Sequence, residues 1–200
     1  MSEAPPNPRA RAHDLALVLA ALCFGGTFLV VQDAIDDVEP VPFLAIRFTI
    51  GALVLWPFAR RRPASPGELR DGAWGGLALL AGYLFQTVGL QYTDSATSAF
   101  ITYLLVVVVP VLGFLVHRRR PRAATLAGVA LAVVGLVLLT DPGDGSGFGK
   151  GEGLTVGCAV AFAVHVLVVG ATARRHDPIR LAAVQVAVVG LACAVPGAFL

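Results

Sequence analysis

Ala96–Arg120 reads ATSAFITYLLVVVVPVLGFLVHRRR: twenty-one uncharged residues, then a histidine and three arginines. About 20 apolar residues are what an α-helix needs to cross roughly 30 Å of hydrocarbon. The arginines then mark the point where the chain regains water. Six further segments have the same character: Leu15–Val31, Val41–Ala59, Gly72–Leu90, Ala123–Thr140, Leu154–Ala173 and Ile179–Leu200. The runs are apolar on all faces and lack ten-residue alternation, which excludes a β-barrel. Composition agrees. Of 200 residues, 56% are apolar and 14% are charged, against roughly 25% charged in soluble domains. A soluble chain of this length could not bury so much apolar surface. An ordinary cytosolic enzyme, a disordered protein and a nucleic-acid-binding domain are excluded, leaving an all-α, polytopic integral membrane protein.

Charge supplies the topology. Arg9 and Arg11 precede the first span. Arg60, Arg61, Arg62 and Arg70 lie in the second connection, Arg118, Arg119, Arg120 and Arg122 in the fourth, and Arg174, Arg175 and Arg180 in the sixth. The first and third connections hold no Lys or Arg, and the fifth holds only Lys150. Asp33, Asp36, Asp37, Glu39, Asp94, Asp141, Asp144 and Glu152 fall on that other side. The positive-inside rule places the N-terminus in the cytoplasm of a multi-pass protein of the cell (inner or plasma) membrane. The first span has no small-residue cleavage site after it and is read as a retained helix. Cys23, Cys158 and Cys193 all lie in apolar runs, as small hydrophobes and not as a disulfide framework. Gly153-x-x-x-Gly157 is a small-residue pair suited to close helix packing.

The chain also echoes itself. At an offset of 138 residues Phe24 meets Phe162, Leu29-Val30-Val31 meets Leu167-Val168-Val169, Pro40 meets Pro178 and Ala45 meets Ala183. The first and second spans map onto the sixth and seventh. Five spans per unit is an odd number, so the second unit is inverted with respect to the first, an arrangement common in secondary transporters. The expected domains are a cytoplasmic tail (1–14), a five-helix repeat (15–140), an external Gly-rich linker (141–153) and two helices of an incomplete second repeat (154–200). Three helices of that repeat are expected to follow Leu200.

Residues 82–102, GYLFQTVGLQYTDSATSAFIT, continue through Pro110 and Arg118–Arg120 into Gly128 and Gly135-Leu-Val-Leu-Leu139. With Phe24-Gly-Gly-Thr-Phe28 and Ala45-Ile-Arg-Phe48, this run resembles the EamA-type transporters of the drug/metabolite transporter superfamily. The resemblance implies ten helices in two inverted repeats, a central cavity near the midplane, and export of a small organic metabolite or drug-like solute by alternating access. Many members carry a Glu near the end of the fourth helix; His117 and arginines stand there in this chain.

Polar groups at membrane depth are costly and mark a pathway by default. Arg47 suits a carboxylate clamp; its alternative is snorkelling to the outer interface beside Asp33 or Glu39. His165 suits a solute or proton site, or a neutral interhelical hydrogen bond. Its repeat partner is Thr27, and that of Arg47 is Gln185. Tyr83 and Gln86 share a helix face and, with Tyr103, complete the candidate solute-binding set; Thr102 is a further polar group. Pro110 is expected to kink the fourth span. The glycine-rich stretch 141–152 fails as a phosphate loop: Asp144 and Gly151 stand where glycine and Ser/Thr are needed. No HExxH, no GxSxG and no paired intramembrane carboxylates are present, so no enzymatic activity, cofactor or metal is assigned. The expected partners are a small-molecule solute and the bilayer, with a homodimer as an option and nucleic acid excluded. The competing reading is a non-transporting membrane subunit or scaffold, or a decayed half-transporter.

Overall fold

A computed structural model describes residues 8–117, 123–139 and 148–197. Eight helices run up and down: α1 (Pro8–Asp37), α2 (Pro40–Ala59), α3 (Glu68–Gly89), α4 (Ser95–Tyr103), α5 (Leu105–His117), α6 (Ala123–Leu139), α7 (Lys150–Thr172) and α8 (Pro178–Gly197). Among the described residues there is no strand. Five segments are long and apolar enough to cross a membrane: Asp14–Asp37, α2, Ser95–Leu115 spanning α4 and α5, α7, and α8. The chain is a polytopic helical membrane protein. The topology gives the bundle an arginine-rich end and an acidic end.

Local signals set the helix starts. Proline opens α2 and α8, where a missing N–H costs nothing. These two starts, Pro40 and Pro178, stand 138 residues apart, and each helix is 20 residues long. Asp94 caps α4, accepting from the N–H groups of Ala96 and Thr97 at 2.9 Å each. Burial alone would raise its pKa, but hydrogen bonds from Thr97 and Ala96 outweigh that and lower it. Asp177 caps α8 through Ile179 and Arg180 N–H.

Three boundaries and one span differ from the sequence expectation. The tail and the linker both lose residues to helices: α1 begins at Pro8 and α7 at Lys150. Glu152 makes the second early start workable by accepting from Gly149 N–H at 2.9 Å. The rest of the linker, 141–147, lies outside the described residues, as do Arg118–Arg122, Thr140, the side chain of His117 and residues 198–200. The fourth span divides at Leu104, whose N–H bonds to Ile101 O at 3.0 Å, and not at Pro110, which sits within α5. A proline removes the hydrogen bond to the turn before it, and the division lies just beyond that turn. The third span forms, as α3, but is not among the five apolar enough to cross unaided. Its Leu69, Trp74, Leu77 and Phe85 are exposed to the surroundings, while its other face is glycine and polar groups packed on α7 and α8.

That inner face sets the architecture. A Cβ at Gly72 would stand 2.6 Å from Val184 Cγ1, one at Gly76 2.7 Å from Val188 Cβ, and one at Gly82 inside the Phe162 ring. Close approach of small residues is how helices gain dispersion contacts where lipid removes the hydrophobic drive. The Gly153/Gly157 pair singled out in the sequence does not play this part. Its Cβ positions meet only Phe148 at 3.8 Å and Phe85 at 3.5 Å, ordinary contacts. Around this seam α2 packs on α8, and α4 and α5 on α7, while α6 touches only α4 and α5 among the described residues. Leu44, Phe48, Val189 and Cys193 form one buried cluster between α2 and α8.

Candidate functional site

The sequence-predicted polar residues fall into three places. The first is a pair on α7 and α8. His165 Nε2 lies 3.0 Å from Gln185 Oε1, so the ring donates there. The amide nitrogen of Gln185 is buried without a partner among the described residues and rests over Gly75, whose missing Cβ makes the room. Gln185 is 5% exposed. A buried, unsatisfied amide N–H is uncommon and calls for an explanation.

The second place is nearer the acidic end. The guanidinium of Arg47 lies 5.3 Å from the Tyr83 ring centroid and 5.8 Å from that of Phe48. Tyr83 in turn meets Phe48 and Phe162 edge-on, at 4.7 and 5.1 Å. The cation is held by aromatic faces. Among the described residues no carboxylate lies within ion-pairing distance of it, so the pairing with Asp33 or Glu39 does not form. The third place is a neutral seam. Gln86 donates to Thr102 Oγ1 at 3.5 Å, Thr102 meets Cys158 Sγ at 3.8 Å, and Ser98 meets Thr155 at 3.4 Å.

Thr27 and Tyr103 join none of these. Thr27 donates to Phe24 O on its own helix, and Tyr103, 42% exposed, meets Phe24 edge-on. Tyr103 lines a groove of about 370 Å³ with Phe100, Leu104, Gly128, Leu131 and Gly135. A second groove of about 340 Å³ runs between α2 and α8 past Thr49, Trp56, Ala183 and Gly190. Arg47, Gln86, His165 and Gln185 line neither.

A fourth polar cluster escaped the sequence reading. At the arginine-rich end His176 Nε2 stands 2.9 Å from Asp71 Oδ2 and its Nδ1 2.6 Å from Ser65 Oγ. Arg180 donates to Glu68 at 2.7 Å, and also to the carbonyls of Ala59 and Arg62. Glu68, Asp71 and His176 are 2%, 8% and 7% exposed. Hydrogen bonds from His176 and then Arg70 hold the Asp71 carboxyl below its ordinary range. A serine–histidine–aspartate relay can activate a nucleophile, but here Ser65 Oγ also faces Glu68 Oε2 at 3.4 Å. That carboxylate would repel a developing oxyanion. The relay ties α3 and the connection before it to the connection between α7 and α8. Its signal in the sequence was the presence of Glu68, Asp71 and Asp177 among the arginines, carboxylates on the side where they are exceptions.

Residues 12–141 match the EamA-like transporter family. The chain belongs to that family. Its matched part runs through α1 to α6, with α7 and α8 beyond it. An uncharacterized transporter of Archaeoglobus fulgidus is 37% identical over 169 residues, 84% of this chain and 52% of the relative. An uncharacterized protein of Pseudomonas aeruginosa is 36% identical over 135 residues, 64% of this chain and 46% of its own length. This EamA-like chain thus spans about half the length of the curated relatives it matches. A crystal structure with a TM-score of 0.61 and 23% identity covers 91% of this chain and 65% of its own, and shares the fold. The family and the transporter-named relative support a membrane transporter in general.

Proposed function

We propose that this EamA-like chain forms part of a secondary transporter exporting a small organic solute across the cell membrane by alternating access. In this reading residues 15–140 are one repeat and residues 154–200 open an inverted second one. The arginine-rich end faces the cytoplasm. The observation that carries the proposal is the His165–Gln185 pair with its buried, unpartnered amide N–H at membrane depth. Such a donor is expensive in hydrocarbon unless something polar meets it during the working cycle. Arg47, on the repeat-related position of α2, offers a cation toward the acidic end of the same path. Tyr83, Gln86 and Tyr103, with Thr27, are the remaining proposed solute contacts.

The test is exchange of isotope-labelled amino acids, organic acids and amines by the full chain in proteoliposomes. His165→Ala is expected to lower the flux of any transported solute about tenfold while purified yield stays near wild type. Wild-type flux in that variant would sink the assignment of the site. Absence of flux for every pool would favour the non-transporting subunit instead.

A further inference from the structure

Two connections meet at the arginine-rich end: residues 60–67 between α2 and α3, and residues 173–177 between α7 and α8. The contacts joining them are almost wholly ionic or charge-assisted. Asp71 is an acceptor only, so Nε2 of His176 carries a hydrogen and donates to it. Nδ1 then accepts from the Ser65 hydroxyl. In the doubly protonated ring the serine instead accepts from Nδ1 and turns its own hydrogen toward Glu68. The relay is satisfied in either charge state. Beside it Glu68 and Arg180 pair at 2.7 Å, and Arg62 approaches Asp177 at 3.9 Å. Arg70, its side chain 73% exposed, closes the set on Asp71.

Buried ion pairs are poor static braces. Apolar side chains of the same volume commonly hold a fold as well or better. What charges offer is an alternative partner: on separation each group regains water. Here that water is one side chain away, as the exposure of Arg70 and Arg62 shows. Toward the acidic end, by contrast, α3 and α7 meet at Gly82 under the Phe162 ring and at Gly89 against Thr155, and neutral side chains tie each of them to α4. Those contacts have no comparable replacement in hydrocarbon.

We propose that Ser65–His176–Asp71 and Glu68–Arg180 form a latch that closes the arginine-rich end between the two connections and must break for that end to open. The opening step rests on the transporter reading; the closed latch does not. A membrane-impermeant maleimide tests it on the full chain lacking Cys23, Cys158 and Cys193. One cysteine is placed at Thr172, buried at the latched end, and in a separate chain one at Ser95, buried at the opposite end.

Glu68→Gln and Asp71→Asn are expected to speed labelling at position 172 at least about tenfold, since the first takes the carboxylate from Arg180 and the second the charged acceptor from His176. Labelling at position 95 should not change. The reversal Glu68→Arg with Arg180→Glu should restore slow labelling at 172. Ser65→Ala, which removes one hydroxyl, covers the case in which the charge variants do not fold, and should speed labelling by a smaller factor. Unchanged labelling at 172 in every folded variant overturns the latch. So does a parallel rise at 172 and 95, which would show that the cluster only holds the fold together. Labelling needs no solute, so a failure of transport and a failure of the latch are told apart.

Discussion

The two ends of the seam between α3 and the α7–α8 pair are built from different chemistry. At the arginine-rich end two carboxylates, a histidine and an arginine are packed with little exposure. Toward the acidic end α3 and α7 meet at Gly82 and Gly89 and are tied to α4 through Gln86, Thr102, Ser98 and Thr155, with the charged Glu152 and Lys150 meeting Thr93 and Tyr92 only at the rim. The difference follows depth. Where water is one side chain away, a charge can be satisfied on either side of a conformational change. In the hydrocarbon charges are costly, and this stretch of the seam uses neutral groups that bond locally or no side chain at all. The lesson is that the seam is uneven because its surroundings are, with charged contacts at one end and neutral ones at the other.

The largest effect expected from breaking this contrast is at the charged end. Arg180→Ala leaves the Glu68 carboxylate buried and unpaired, and should cost about 3 kcal/mol, read as a lowered Tm in detergent. Replacing Glu68 and Arg180 together by leucine should recover most of it; equal loss in the single and double variants would show that the pair itself carries the stability. Next comes Gly82→Ala, whose added methyl falls inside the Phe162 ring and should cost about 1–3 kcal/mol. Gly157→Ala, with only ordinary contacts, should leave the Tm unchanged, and a similar drop at both sites would refute the seam as described.

The acid limb sharpens the comparison. The Asp71 carboxyl titrates below its ordinary 3.8 in the fold, so its ionised form contributes stability above that range. The contribution drains away as pH falls through the depressed value. Asp71→Asn should therefore flatten the fall of Tm below about pH 4, relative to wild type. An unchanged acid limb would mean that the contact with His176 adds nothing. The smallest effect belongs to the neutral seam. Ser98→Ala should cost about 0.6 kcal/mol, the average for an interhelical hydrogen bond in membranes, measured by the same melts.

Much of the architecture was legible before any coordinates, because hydropathy and loop charge act locally. A run such as Leu15–Val31 has no alternative but lipid, and Arg60–Arg62 cannot be drawn through it. The starts of α2 and α8 were equally legible, since proline at a first helical position acts on its own residue. The division at Leu104 was not. Proline chemistry pointed to the neighbourhood, but the position where the ladder yields depends on what packs around it. Nor was the choice among glycines. Gly153 and Gly157 have the spacing of a packing motif, yet α3 supplies the close approach, because contact depends on which helix stands opposite.

The candidate site divides the same way. Arg47, Gln86 and His165 stood out because a polar side chain in an apolar run is conspicuous by itself. That Gln185 accepts the hydrogen bond of His165, and that Tyr83 and not a carboxylate meets Arg47, depended on helix rotation. The charged cluster was hardest to see, since Asp71 and His176 look like ordinary loop residues and are 105 positions apart. By itself the sequence determined a helical membrane protein and its alternation of ends, consequences of transfer from water to lipid summed residue by residue, and its motifs carried the family resemblance. Only the tertiary structure decided which polar groups meet. Partnering is a property of two surfaces, and a side chain carries no record of the helix it will face.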